Sequence, residues 1–339
     1  MDALQNIGIF AAQTFLILFA ILAVIVVIAL LASRASHKQE IEVELLHKRY
    51  KDFASTLKAH ISSKAERKEL KKKLKEEAKA QGAESRAQEK KIYVIDFEGD
   101  VNASAVDNLR EEVTAVLTTA TAQDEVVVRV ESPGGVVHGY GLAASQLLRI
   151  REKQIALTVC VDKVAASGGY LMACTAHRIL CAPFAIVGSI GVVAQIPNFH
   201  RVLKKFDVDF KEYTAGEYKR TVSLLGEITP KGEEKFKQQL ESTHSLFKSF
   251  VNKFRPQIDL AEVATGEYWY GEQALEKKLV DEIRTSDDYL LSLADQHQII
   301  KVKFEQHQSL SDKLTGIVGR GLHKGASSLI EDMEKRRYL

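Results

Sequence analysis

Ser167 stands between Ala166 and two glycines in the run Val164-Ala-Ala-Ser-Gly-Gly-Tyr-Leu171, and 52 positions later Tyr218-Lys219-Arg220 supplies a lysine. A serine hydroxyl attacks a carbonyl only when a neighbour takes its proton, and a lysine amine can take it where burial or nearby cations leave it partly neutral. Glycines after the serine keep main-chain N–H groups open toward the reacting atom, as an oxyanion requires. The chemistry these residues suit is acyl transfer. Each also has a plainer explanation: Ser167 as a helix N-cap, Lys219 beside Glu217 and Arg220 as a solvated charge, and Ser132-Pro-Gly-Gly135 as a turn. Their joint occurrence favours catalysis.

Other chemistries fit less well. A Ser-His-Asp triad on a Gly-x-Ser-x-Gly elbow is absent, since the run around Ser167 reads Ala-Ala-Ser-Gly-Gly. His138 and His177 lie close to the motifs in sequence; His138 is expected to border a turn and His177 to sit at a helix end. No His-Glu-x-x-His or paired Cys-x-x-Cys spacing occurs and no Gly-Lys-Ser/Thr follows the glycine turns, so neither a metal nor a cofactor is expected. A net charge of +2 and an aromatic content of 7% give no field for nucleic acid. The three cysteines, Cys160, Cys174 and Cys181, lie in apolar stretches and read as small buried hydrophobes, with no disulfide framework.

Several elements must position the serine and the lysine. Residues 3–33 carry no charge, and 15–31 are almost wholly aliphatic or Phe, long enough to cross about 30 Å of hydrocarbon as one retained transmembrane helix. The anchor is therefore assigned to residues 1–35, with lipid contact through 7–31. Residues 36–91, rich in Lys, Glu, Ala and Gln, read as a charged helical stalk that is most densely charged at 68–79. A compact α/β domain follows over 92–295. Residues 92–97, 125–130 and 155–161 read as strands, 103–119 and 141–151 as helices, and 178–182 and 191–194 as further apolar runs of a mostly parallel layered sheet. Ser167 then opens a helix, where unpaired N–H groups and partial positive charge suit an oxyanion. Residues 229–253 form a long amphipathic helix for core or subunit packing. Residues 296–339 close the chain with a strand at 299–304 and a helical tail at 310–338.

Ser132-Pro-Gly-Gly135, Ala165-Ala-Ser-Gly-Gly-Tyr170, Gly188-Ser-Ile-Gly191 and Gly216-Glu-Tyr-Lys219 occur in one order. In that order and spacing the chain resembles the signal peptide peptidase A family of membrane-bound S49 serine peptidases, most of all its SohB branch. The likeness runs from about Ile92 to Asp281 and takes in Tyr268-Trp-Tyr-Gly-Glu-Gln-Ala-Leu275 and Leu279-Val-Asp-Glu-Ile283. It implies a ClpP/crotonase-like fold of repeated ββα units, with Ser167 as nucleophile and Lys219 as general base. It also implies the Gly135 and Gly168 N–H groups as oxyanion donors and Ser189 as a residue orienting the lysine. In this family catalytic domains associate into rings or domes, and some members draw serine and lysine from different subunits; a homo-oligomer is expected here, with both residues inside one domain's worth of sequence.

The resemblance points to an endopeptidase of the bacterial inner membrane acting on signal-peptide remnants or membrane-proximal hydrophobic chains. The alternatives are a crotonase-type acyl-CoA enzyme and a scaffold without turnover. The basic residues after the span, Arg34, Lys38, Lys48, Arg49 and Lys51, favour a cytoplasmic domain by charge bias, whereas the family favours the periplasmic side. The periplasmic side is the expectation, because long domains translocate regardless of that bias.

Overall fold

Residues 15, 16, 19, 39–63 and 90–306 are described by the structure, a computed structural model. The expected anchor (Phe15, Leu16 and Phe19 apart), the densely charged 68–79 stretch and the 310–338 tail lie outside them. Among the described residues no helix is long and apolar enough to cross a membrane. The chain divides into two units, residues 1–41 with 304–339, and residues 42–303. All the candidate chemistry lies in the second.

The fold is mixed α/β with a parallel-rich sheet. Seven strands, β1 (Gln39–Leu45), β2 (Lys91–Glu98), β3 (Glu125–Glu131), β4 (Ala156–Val161), β6 (Arg178–Cys181), β9 (Glu282–Ile283) and β10 (Gln298–Gln306), lie in the order β1-β10-β2-β3-β4-β6-β9. Pairing from β10 across to β9 is parallel throughout. A smaller sheet is made by β5 (Val164–Ala166), β7 (Ile186–Gly188) and β8 (Tyr268–Tyr270). The helices are α1 (Leu46–Ile61), α2 (Val106–Thr119), α3 (Val137–Glu152), α4 (Gly168–Ala173), α5 (His200–Lys205), α6 (Pro230–Phe254), α7 (Leu260–Val263), α8 (Gly271–Glu276) and α9 (Ser286–Leu293).

Both faces of the large sheet are covered, which explains why its central strands are rich in Val and Ile on both sides of the pleat. Ile92, Val94, Val127, Cys160, Leu180 and Ile299 form one buried face under Leu46 of α1 and Tyr289 and Leu290 of α9. By strand alternation Tyr93, Ile95, Val126, Val128, Leu157 and Val159 form the other, on the side of α2 and α3. The long helix α6 starts with Pro230 behind a Thr229 cap that accepts from the Gly232 N–H at 3.1 Å.

Two expectations change. Residues 39–45, placed in a helical stalk, form β1: Gln-Glu-Ile-Glu-Val-Glu-Leu alternates with period two, which is the strand signal. The helix after it docks on the core through Leu46 and Tyr50. Residues 191–194, read as a strand-like run, form none; the strand nearest to them is β7, which ends at Gly188. All three cysteines are buried, and burial pushes their thiols up, that of Cys181 to about 12.

Two buried or half-buried carboxylates tie strands together. Asp96 accepts from Arg129 Nε at 2.6 Å and Nη2 at 2.7 Å and pairs with Lys301 at 2.8 Å. Glu125, only 5% exposed, accepts from Lys90 and the Tyr289 hydroxyl at 2.6 Å and from Thr158 at 2.7 Å. Burial pushes both carboxyls up, but these partners together bring each below the ordinary carboxylate range. A lowered native pKa contributes stability above the unfolded value and loses it as pH falls through the native one. Stability to urea should therefore fall on acidification below about pH 4. Glu125→Gln should lower the neutral-pH midpoint and flatten that acid limb.

Candidate active site

The site forms where β3 and β4 leave the large sheet at their C-terminal ends. After β3 the chain enters Ser132-Pro-Gly-Gly135 before α3; after β4 it turns into β5, then Ser167 and α4. A parallel bridge between Ser132 and Ala165 joins the two paths. The Ser132 N–H donates to the Val164 carbonyl at 2.8 Å, and the Ala166 N–H donates to the Ser132 carbonyl at 3.0 Å. The Ser167 N–H then donates to the Gly188 carbonyl at 2.8 Å, bringing in the turn after β7.

Ser167 sits at φ 51° and ψ −115°, a left-handed conformation that is uncommon for any residue but glycine. Its side chain makes no cap bond to α4, so the capping explanation fails on geometry. Ser189 is also left-handed, at φ 51°, with its N–H donating to the Glu267 carbonyl at 2.7 Å. Such backbone strain of order 1–3 kcal/mol persists only where the surroundings enforce it, and it concentrates at functional sites.

The structure brings Ser167, Gly168, Ser189 and the Gly134-Gly135 loop together. Among the described residues neither the Gly135 nor the Gly168 N–H donates to another protein atom, whereas the flanking Gly134 and Val136 N–H groups are engaged. Two open donors beside a half-exposed serine can receive an oxyanion. Sequence reasoning missed Gly134. At φ +89° its Cα packs so closely that a Cβ would come within 2.7 Å of the Ala166 carbonyl oxygen, the Gly168 nitrogen and Ser167 Cβ. The signal for it was the doubled glycine after proline.

Lys219 lies elsewhere on the chain. Its N–H donates to the Gly216 carbonyl at 3.1 Å in a turn where Gly216 has φ +99°, and its side chain is exposed. That turn is held to the first turns of α6 by the Glu217–Lys231 ion pair at 2.5 Å and by Lys235 Nζ 5.0 Å from the Tyr218 ring centroid. The serine side meets α6 further along, where His244 Nε2 lies 3.2 Å from the Ile190 carbonyl oxygen. Lys231 and His244 are separated by about 20 Å along the helix axis at 1.5 Å per residue. His138 lies exposed in the first turn of α3, and His177 Nδ1 accepts from the Leu157 N–H at 3.0 Å. Among the described residues no group of three or more His, Cys, Asp and Glu is placed to hold a metal ion.

Comparison with known proteins adds the chemistry's context. Residues 2–147 match the family model Peptidase family S49 N-terminal, and 149–300 match Peptidase family S49. A probable protease SohB of Haemophilus influenzae is 47% identical over 97% of this chain and 96% of its own length. Another from Buchnera aphidicola subsp. Schlechtendalia chinensis is 46% identical over 86% of this chain and all of its own. A putative protease of Methanocaldococcus jannaschii is 30% identical over 62% of this chain and 69% of its own.

Gly134→Ala tests the closeness of the loop to the serine. Both its positive φ and the missing space oppose a side chain, so the variant should lose about 1–3 kcal/mol of stability. It should also lose hydrolytic activity by more than that destabilisation accounts for, as read from urea melts and peptide turnover on the same preparation.

Proposed function

This chain belongs to peptidase family S49, and on that footing we propose that it is a membrane-anchored serine endopeptidase whose base is Lys219. Lys219 Nζ takes the proton of Ser167 Oγ as the oxygen attacks the peptide carbonyl. The Gly135 and Gly168 N–H groups hold the resulting oxyanion. Collapse expels the amine, which receives the proton from the Lys219 ammonium and leaves an ester on Ser167. Water, deprotonated in turn by Lys219, hydrolyses that ester. Ser189, fixed next to the carbonyl that anchors Ser167, orients the lysine. The observation that carries this reading is the strained Ser167 beside two undonated N–H groups at the start of α4.

We take the fold to be of the ClpP/crotonase type, which the parallel sheet with oxyanion loops at its strand ends supports. The working form is a homo-oligomer, with the dyad completed between copies. Two features favour this. Lys219 is exposed near the N-terminal end of α6, away from the serine, and a lysine becomes available as a base at neutral pH when it is shielded from water. The segment carrying it also exposes Val193 at 80%, Phe206 at 70% and Tyr213 at 89%, along with Phe199, Val202, Phe210 and Leu224. Apolar surface on that scale marks an interaction site.

The substrates are apolar peptides beside the inner membrane, such as signal-peptide remnants. Exposed Val101 and Val137 flank the Gly135 loop and give the site an apolar edge. Residues 7–31 attach the enzyme to lipid, with the catalytic domain on the periplasmic side.

Ser167→Ala and Lys219→Ala should each abolish cleavage of an apolar peptide, and a fluorophosphonate probe should label Ser167 in the wild type. Mixing the two inactive variants under conditions that exchange subunits should restore part of the activity. No labelling of Ser167 sinks the serine mechanism, and labelled wild type with inert mixtures sinks the dyad between copies. A C-terminal reporter active only outside the cytoplasm should be active, and silence would reverse the topology.

A further inference from the structure

Tyr140 of α3 is fully buried, eight residues beyond Ser132, and it touches both halves of the oxyanion site. Its ring lies against Gly168, where a Cβ would come within 2.7 Å of Tyr140 Cδ2 and 2.8 Å of its Cβ. Its hydroxyl donates to the Asp100 carbonyl at 2.7 Å. That commits the phenol's proton, so in the short hydrogen bond between Ser132 Oγ and the Tyr140 oxygen the serine is the donor. Ser132 Oγ in turn accepts from the Gly134 N–H at 3.1 Å. One polar chain thus runs from Gly134 through Ser132 and Tyr140 to Asp100.

This chain occupies the Gly134 N–H, while the next one, on Gly135, stays undonated. The pocket around the phenol is closely packed. Phe97 meets the Tyr140 ring edge-on at 6.2 Å between centroids, and a Cβ on Gly99 would come within 2.7 Å of both the Phe97 ring and Ser132 Oγ. Burial pushes the phenol up from its ordinary value, so the proton that this chain needs is retained through the working pH range.

We propose that Tyr140 is a positioning residue that sets the spacing and aim of the two oxyanion donors, its ring supporting Gly168 and its hydroxyl, through Ser132, fixing the loop that presents Gly135. The proposal rests on the serine peptidase reading above. It assigns Tyr140 no contact with substrate. Its effect therefore belongs to the tetrahedral state and not to peptide binding, which separates it from a residue that only supports the fold.

The test uses the full-length protein in detergent, with Tyr140→Phe, Ser132→Ala and the double variant. Readouts are kcat, KM, labelling of Ser167 by a fluorophosphonate, and affinities for a peptide aldehyde and for the matching uncleavable peptide amide. Deleting an oxyanion donor costs about 10²- to 10³-fold in kcat, so loosening two should cost about tenfold. Tyr140→Phe should lower kcat and aldehyde affinity by that factor and leave KM and amide affinity unchanged. Ser132→Ala should do the same, and the double variant should be no worse than the poorer single, because one hydrogen-bonded chain is cut in each. Unchanged aldehyde affinity, or aldehyde and amide affinity falling together with the melting temperature, overturns the proposal. If Tyr140→Phe does not fold, Ser132→Ala must show the split alone, and its absence is equally decisive. Failure of the wild type to label at Ser167 removes the serine reading and this proposal with it; normal labelling in every variant removes this proposal only.

Discussion

The parallel bridge between Ser132 and Ala165 is the contact on which the site depends. It links two stretches that leave the large sheet separately, one after β3 and one after β4, and its two main-chain hydrogen bonds involve no side chain. Because the bridge is backbone to backbone, it fixes register as well as distance: Gly134 must fall beside Ser167 and Gly168. The next hydrogen bond, from Ser167 to Gly188, adds the turn that carries Ser189. Three loops remote in sequence thus converge on one serine, and the two strained serine backbones are held by this ladder of peptide groups.

The large sheet was legible because burial on both faces makes its strands continuous apolar runs, and because glycine turns separate them. The helices α2, α3 and α6 were legible from their period, within a few residues at each end. What the sequence obscured follows from competing signals. In residues 39–45 a high charge density masked the period-two alternation of Ile41, Val43 and Leu45 that makes a strand. In 191–194 an apolar run suggested a strand, yet the chain there pairs with no strand, and Val193 and Ala194 stay exposed. Local pattern reports what a segment would bury, not which surface is at hand to bury it.

The site shows the same division. Ser167 and Gly168 were readable from small residues around one hydroxyl, since that composition leaves backbone groups open. Gly134 was not, because its need for glycine comes from Ala166, Ser167 and Gly168 pressing on it from another part of the chain. Lys219 was readable as a residue but not as a position. Spacing along the chain says nothing of the long helix that sets the Lys219 turn and the serine turn about three and a half turns of helix apart. The segment that carries the lysine exposes Val193, Phe206 and Tyr213, so its apolar pattern predicts burial that the chain itself does not supply.

The placement of the three thiols has a consequence for where such a protein can work. Cys160 and Cys181 lie on neighbouring strands, but Cys160 is paired with Leu180 and Val161 with Cys181, so alternation sends the two sulfurs to opposite sides of the sheet. Cys174 is buried at the end of α4. All three thiols are free and buried, so none offers solvent a site for oxidation. A fold whose thiols are buried and unpaired needs no disulfide to hold it, so its covalent structure is the same in a reducing and in an oxidising compartment.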